Sequence, residues 1–398
     1  MDKKYILITG GDLYNKGAQS MLFVTIDELS SRFPNHKIVV LSSRDYNRSA
    51  EELSQYNFTI LPDMMKIRFY LAGGLYKLIS MIRGIDKDKM KNLENIFIKS
   101  EYVVDISGYA LGSNWGFWHS LFYLIKIKTA KKYNIKAYIL PQSFGPFNYR
   151  GVQNIIIKYF MKRYLKYPSV IYTREKEGYD LLEKNFRLSN IKMSTDLVLM
   201  NKSIDTKKIY RKNIPNKMSV HEIAPNSIAI VPNVKSFKFG NNENVLKLYE
   251  YAINTLLSKN KKIYLIRHSF EDLEACQAIK EKFKMNQNVV LLSDDISCIE
   301  FDDMISKFEF ALASRYHSII HAYKNGTPCI AIGWATKYKE LLNKFDQNKY
   351  IFDVRKPIDM NEFGEALNNI SSNFNKESKL ILDKLKEIQK NDIFDSII

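Results

Sequence analysis

Short apolar runs alternate with segments of helical period along almost the whole chain, the pattern of parallel α/β sheets. In the first half, the runs Tyr5 to Thr9, Lys37 to Leu41, Phe58 to Leu61, Tyr102 to Ile106, Ala137 to Leu140 and Val170 to Thr173 predict strands, with a short one near Met193. Amphipathic stretches such as AQSMLFVTIDELSSRF and EKEGYDLLEK lie between them. A polar segment rich in Lys and Asn, NKSIDTKKIYRKNIPNKMSVHEIAPN, then interrupts the alternation and reads as a linker. Beyond it, Ser227 to Val231, Lys262 to Arg267, Asn288 to Leu292, Phe310 to Ala313 and Cys329 to Gly333 predict a second set of strands. Helices are expected around Val245 to Leu257, from Glu271, over Glu300 to Lys307 and from Tyr316. The tail SNFNKESKLILDKLKEIQKNDIF reads as one closing amphipathic helix.

This order predicts an α/β protein of two Rossmann-like domains whose parallel sheets face a central cleft. Residues 1–205 would form the N-terminal domain, 206–370 the C-terminal domain and 371–398 the closing helix. A chain of 398 residues suits two cores better than one. Ligands of such sheets gather at the carboxyl ends of the strands, where loops and helix starts meet.

Composition narrows the functional classes. The stretch GVQNIIIKYFMKRYL is broken by Lys158, Lys162 and Arg163, and no run reaches the roughly twenty apolar residues of a membrane span. The opening MDKKYILITGG has too short an apolar part for a signal peptide, so a cytoplasmic protein is expected. Sixty basic against 43 acidic residues give a net charge of +17. The lysines run through the chain without a basic block or a nucleic-acid motif, so nucleic acid is not an expected partner. Attraction to an anionic membrane surface, at its inner face, is the better use of that charge, with a composition rich in Ile, Asn, Lys and Tyr as the plain alternative. Cys276, Cys298 and Cys329 are odd in number and lack CxxC spacing, which supports neither a disulfide framework nor a zinc site.

Several strand ends carry candidate chemistry. ITGGDLYNKGAQSML puts Gly10, Gly11 and Gly17 between a strand and a helix, either to admit an anion to the backbone amides or simply to turn tightly. VVDISGYALGSNWGFWHS ends a strand in Asp105 and follows it with Trp115, Trp118 and His119. The indoles would stack on sugar rings or cover the sheet, and Asp105 and His119 would bind hydroxyls or move a proton. YILPQSFGPF reads as a strand stopping at Pro141, with Gln142 and Ser143 projecting into the cleft. In IYTREKEGYDLL, Thr173 is the expected helix cap, and Arg174 beside that helix start either doubles an anion site or is an ordinary surface arginine. In SRYHSIIHAYKNGTP, Ser314 is the expected cap, which puts Arg315 and His317 in the first turn. His317 and His321 lie one turn apart without a third acidic ligand. A packing role for His321 is therefore preferred to a metal site, and no metal is expected. Lys337 lies just beyond the next strand end.

Together these segments resemble the polysaccharide pyruvyl transferase family. The resemblance runs through Asn15 to Leu22, Gln142-Ser143-Phe144-Gly145-Pro146, Thr173-Arg174-Glu175-Lys176, Thr195-Asp196, Ser314-Arg315-Tyr316-His317-Ser318, and Gly326-Thr327-Pro328 followed by Lys337. It implies an architecture similar to GT-B glycosyltransferases and transfer of the pyruvyl group of phosphoenolpyruvate onto two hydroxyls of one sugar, with release of phosphate. Phosphoenolpyruvate is then a co-substrate, and no cofactor is expected. By this resemblance Arg174, Arg315 and His317 hold the donor, and a small trianion calls for guanidinium forks and helix starts. His317 is expected as general acid toward the enol carbon, and Lys337 would hold the donor carboxylate. A glycan or lipid-linked sugar acceptor is expected near Asn15, Asp105, Trp115, His119 and Gln142. Ala18 and SGYALG depart from the family pattern on that side. A GT-B enzyme using a nucleotide sugar and a non-catalytic glycan-binding protein are the competing readings.

Overall fold

The computed structural model describes residues 4–74, 87–212 and 222–397. Its first sheet contains β1 (Tyr5–Thr9), β2 (Lys37–Ser42), β3 (Thr59–Pro62), β4 (Ser100–Asp105), β5 (Tyr109–Leu111), β6 (Lys136–Phe144), β7 (Val170–Thr173) and β8 (Ile191–Met193). The strand order is β3-β2-β1-β4-β6-β7-β8, with β5 added beside β6. The second sheet contains β9 (Ser227–Val231), β10 (Lys262–Ile266), β11 (Val289–Leu292), β12 (Ala311–Ala313), β13 (Cys329–Gly333) and β14 (Ile351–Asp353), in the order β11-β10-β9-β12-β13-β14. Every named pairing is parallel. Strand order reverses at β1/β4 in one sheet and at β9/β12 in the other, which opens a crevice at each carboxyl edge.

Helices cover both faces of the central strands, so those strands are apolar on both sides. All five residues of β9 and all five of β13 are buried. That is why continuous apolar runs, rather than alternation, marked them in the sequence. The exceptions are informative. β6 does not stop at Pro141 but continues to Phe144, because its register against β7 shifts between Ile139 and Gln142 and the missing proline N–H falls in that irregularity. β5 and β14 have three residues each, too short for a period to show.

Two helix starts also differ from expectation. The helix Lys176–Phe186 begins after Glu175, and Thr173 stays in β7. The helix Tyr316–Lys324 has Arg315 at its cap position without a side-chain cap, because the Ser314 hydroxyl is bonded to Tyr249 at 2.6 Å. The closing helix is longer than predicted, Met360–Ile388, and kinks at Asn373, whose Nδ2 donates to the Asn369 carbonyl. Past it the chain returns to the first domain, where Asp392 and Asp395 pair with Arg32. The short helix Thr206–Ile209 packs there too, through Lys208 and Asp27 at 2.9 Å. Residues 213–221 of the expected linker lie outside the described residues.

The domains meet through reciprocal bonds. Gln19 Oε1 accepts the Cys298 N–H at the start of the helix Cys298–Ile305, at 2.7 Å. Glu340 Oε2 accepts the Lys176 N–H at 2.9 Å in the opposite direction. Behind them one apolar cluster runs from Leu22 and Phe23 through Leu197 and Val198 into Ile319 and Ile320. His321 sits in this seam, with Nδ1 at 2.8 Å from Asp302 and Nε2 at 2.7 Å from Ser20 Oγ. It packs there as expected. All three cysteines are buried and unpaired.

The closing helix is anchored by buried Glu377, which accepts from Gln347 Nε2 at 2.8 Å, Lys349 Nζ at 2.6 Å and the Tyr350 hydroxyl at 3.1 Å. Glu377→Ala strands the buried Gln347 and Tyr350 donors, so urea unfolding should show a loss of about 2 kcal/mol, with Glu377→Gln closer to wild type.

Candidate active site

Arg174 follows β7 directly, and its N–H donates to the Gln142 carbonyl at 3.1 Å, so the sheet edge delivers it to the cleft. Its buried guanidinium donates from Nη1 to Asp196 Oδ2 at 2.7 Å, and from Nη2 to the Gly108 carbonyl and Ser143 Oγ, both at 2.9 Å. Ser143 in turn donates to Glu175 at 2.9 Å. The Arg174 carbonyl accepts from Lys344 Nζ of the second domain at 3.1 Å. Burial opposes the Arg174 charge, but Glu175, Tyr316 and Asp196 more than offset it and raise its pKa. For Asp196, burial works against the carboxylate, while His317 and Arg174 hold its pKa below the ordinary value.

From the facing domain, the Tyr316–Lys324 helix presents Tyr316 and His317. The Tyr316 ring centroid lies 5.0 Å from the Arg174 guanidinium carbon and 5.0 Å from Lys337 Nζ, so one phenol ring contacts two cations. Burial pushes the Lys337 amine down to about 8, with Arg174 adding to the effect. His317 Nε2 lies 3.4 Å from Asp196 Oδ2 without hydrogen-bond geometry and has no other partner. Burial lowers the His317 pKa and outweighs the opposing pull of Asp196. The ring rests on Gly17, where a Cβ would come within 2.3 Å of His317 Cγ. Glycine is required at that position by close approach.

Arg315 is placed differently. Its Nε and Nη2 donate to the two Asp272 oxygens at 2.8 and 2.7 Å, and Nη2 also pairs with Glu271. Its charge is matched by carboxylates of its own domain. Sequence reasoning missed a second cation group. Lys16 is buried beside Gly17, and Arg267 lies just past β10, as Arg174 lies just past β7. Each comes to 3.6 Å of one carboxylate oxygen of Asp295, whose side chain is 75 % exposed. Next to Arg267, His268 is buried with neither ring nitrogen bonded, and its pKa is pushed down by burial and by Lys16. The repeated placement of a basic residue one step beyond a central strand was the signal available for Arg267.

The residues expected on the acceptor side form two pairs and one outlier. Gln142 Nε2 donates to Asp105 Oδ1 at 2.9 Å, and Ser107 also donates to Asp105 from its amide and hydroxyl, so these buried groups form the floor of the crevice. Burial raises the Asp105 pKa. Trp115 stacks on His119 at the rim, with ring centroids 5.4 Å apart. Asn15 lies instead beside Gly17, where its Oδ1 caps the helix Lys16–Arg32 by accepting from the Gly17 and Ala18 amides. Among the described residues, no group of three or more His, Cys, Asp or Glu could hold a metal ion. None of the described helices is long and apolar enough to cross a membrane.

The fold is similar to that of solved nucleotide-sugar proteins. UDP-GlcNAc 2-epimerase from Methanocaldococcus jannaschii superposes with a TM-score of 0.56 at 13% identity, covering 92% of this chain and 92% of that one. Medicago truncatula UGT71G1, complexed with UDP-glucose, superposes with a TM-score of 0.57 at 12% identity, covering 98% and 95%. At such identity the likeness shows the fold, a pair of parallel-sheet α/β domains of GT-B type. No curated protein matches the chain in sequence. The family described as polysaccharide pyruvyl transferase matches residues 15–336, a span running from the Asn15 cap through Arg174, Asp196 and His317 to Thr336. With that span covering most of its length, the chain belongs to the polysaccharide pyruvyl transferase family.

Proposed function

We propose that the chain transfers the pyruvyl group of phosphoenolpyruvate onto two hydroxyls of a sugar in a surface polysaccharide or its lipid-linked precursor. The observation that carries this reading is the convergence of Arg174, His317 and Lys337 from both domains on one edge of the cleft, with an unbonded His317 nitrogen among the cations. Such a site suits a small polyanion better than a neutral sugar.

In this reading Lys337 holds the donor carboxylate. Arg174 and Arg315, both fixed by internal carboxylates, supply positive potential and rigid walls. Lys16 and Arg267 receive the phosphate by displacing the weakly held, exposed Asp295. Burial lowers the His317 pKa, and a bound trianion would raise it, so the imidazole is charged with the donor beside it. His317 then protonates the methylene carbon of the enol. The first sugar hydroxyl adds to the neighbouring carbon and returns its proton to His317. Phosphate leaves, and the second hydroxyl closes the ketal, its proton passing to the departing phosphate. The acceptor lies along Trp115 and His119, over the floor set by Asp105 and Gln142. The nucleotide-sugar alternative has less support: Glu309, the carboxylate nearest β12 in sequence, pairs with Lys261 at the amino edge of the sheet, away from the cleft.

Purified protein should release phosphate from phosphoenolpyruvate only when an acceptor glycoside is present, and His317→Ala should lower kcat by ~100-fold or more, the ordinary share of a general acid. Turnover preserved in that variant would remove His317 from the chemistry. Gly17→Ala, by displacing the ring, should cost about 100-fold in kcat and also lower the thermal midpoint, because the added Cβ meets the buried His317 ring and its Cβ. Lys337 should lose its proton as pH rises through about 8, so KM for phosphoenolpyruvate should climb above that pH. Lys337→Arg should move this limb upward, because a guanidinium stays charged.

A further inference from the structure

The positive charge of the chain is less evenly spread than the overall count suggests. Between Asp105 and Glu175 there is no acidic residue, while the same stretch carries eight lysines and, with Arg174, three arginines. It builds the helices Phe117–Lys132 and Val152–Tyr164, which pack side by side, and the Tyr149 hydroxyl donates to Ser120 Oγ at 2.7 Å where they begin. The two helices follow β5 and β6 through the loops at the carboxyl ends of those strands.

The outer surface of this pair is apolar as well as basic. Val152, Ile155 and Tyr159 are 68, 69 and 57 % exposed, and their spacing of three and four residues aligns them in one stripe. Trp118, at the start of the neighbouring helix, is 62 % exposed. Arg150, Lys162, Arg163 and Lys166 are exposed around the stripe, and Lys158 is half-buried within the helix. Beneath these helices lies a buried apolar cluster that includes Leu121, Leu124, Ile125, Ile157 and Met161, so the stripe is the face turned away from the core.

We propose that this face docks on an anionic phospholipid bilayer, with Val152, Ile155, Tyr159 and Trp118 at headgroup depth and the flanking cations against lipid phosphates. An apolar stripe bordered by charge of one sign is the composition of an interfacial helix. A second copy of the chain is a poorer occupant, because two such faces would oppose like charges. A nucleic acid offers nothing for exposed valine and isoleucine to contact. Docked this way, the protein turns the rim that carries Trp115 and His119 toward the lipid surface. That orientation is the only part of the inference that rests on the acceptor reading.

The test is co-sedimentation of the full chain with vesicles of phosphatidylcholine alone and of phosphatidylcholine mixed with phosphatidylglycerol, at low and high salt. Binding should appear only with the anionic lipid and weaken with salt. It should fall about tenfold in Ile155→Ser/Tyr159→Ser and in Lys162→Glu/Arg163→Glu, with melting temperatures near wild type because these side chains are exposed. Wild type that stays in the supernatant with anionic vesicles overturns the proposal, as do variants that sediment like wild type. So does a dimer that Ile155→Ser dissociates in a protein that binds no vesicles. Phosphate release with a soluble acceptor and no vesicles reports on the chemistry separately, so either idea can fail alone.

Discussion

A guanidinium stripped of water in the seam between two sheets must be satisfied entirely by the chain around it. Arg174 meets most of that demand by drawing on the loop after β4, the end of β6, the residue ahead of the helix Leu197–Met200 and the aromatic ring of the opposite domain, while its Nε makes no hydrogen bond and faces Glu175 at 3.7 Å. Leaving any of these contacts unmade in a buried site would be costly. Four separate segments are therefore held in register by one charge. Asp196, which neutralises it, also sits 3.4 Å from His317, so the group that stabilises the seam and the group that faces this imidazole are the same carboxylate.

The electrostatics of the cleft follow from that arrangement. Two of its cations are already matched: Arg174 by Asp196 and Arg315 by Asp272 and Glu271. Lys337 faces aromatic rings instead, while Lys16 and Arg267 share one distant and exposed carboxylate. The site thus divides into fixed charges that shape a potential and loosely held charges that a ligand can take over. Burial lowers the pKa of both His317 and His268.

Much of the fold was legible because buried parallel strands are continuous apolar runs, and the central strands of both sheets stand out that way. What could not be read depends on partners far along the chain. Ser314 has the chemistry of a helix cap, yet Tyr249 claims its hydroxyl. Arg315 has the chemistry of an anion fork, yet Asp272 occupies it from 43 positions away. His317 was legible as a strand-end histidine, but its seat on Gly17 joins opposite halves of the molecule. Asp105 and Gln142 lie toward the carboxyl ends of β4 and β6, and Asn15 caps the helix that follows β1. Their bonds are to the protein itself, which makes them architecture around the crevice as much as its lining.

The reciprocal caps at the seam have a consequence for how such a molecule can be taken apart. Gln19 finishes a helix that belongs to the other half, and Glu340 finishes one in return. Neither half, cut at the linker, would own all the acceptors its helix starts use. A chimera joining the first half of this chain to the second half of a relative would inherit two frayed helix starts unless both pairs were carried across together. The unit that can be exchanged is therefore the matched seam, and each domain is a fragment completed by its counterpart.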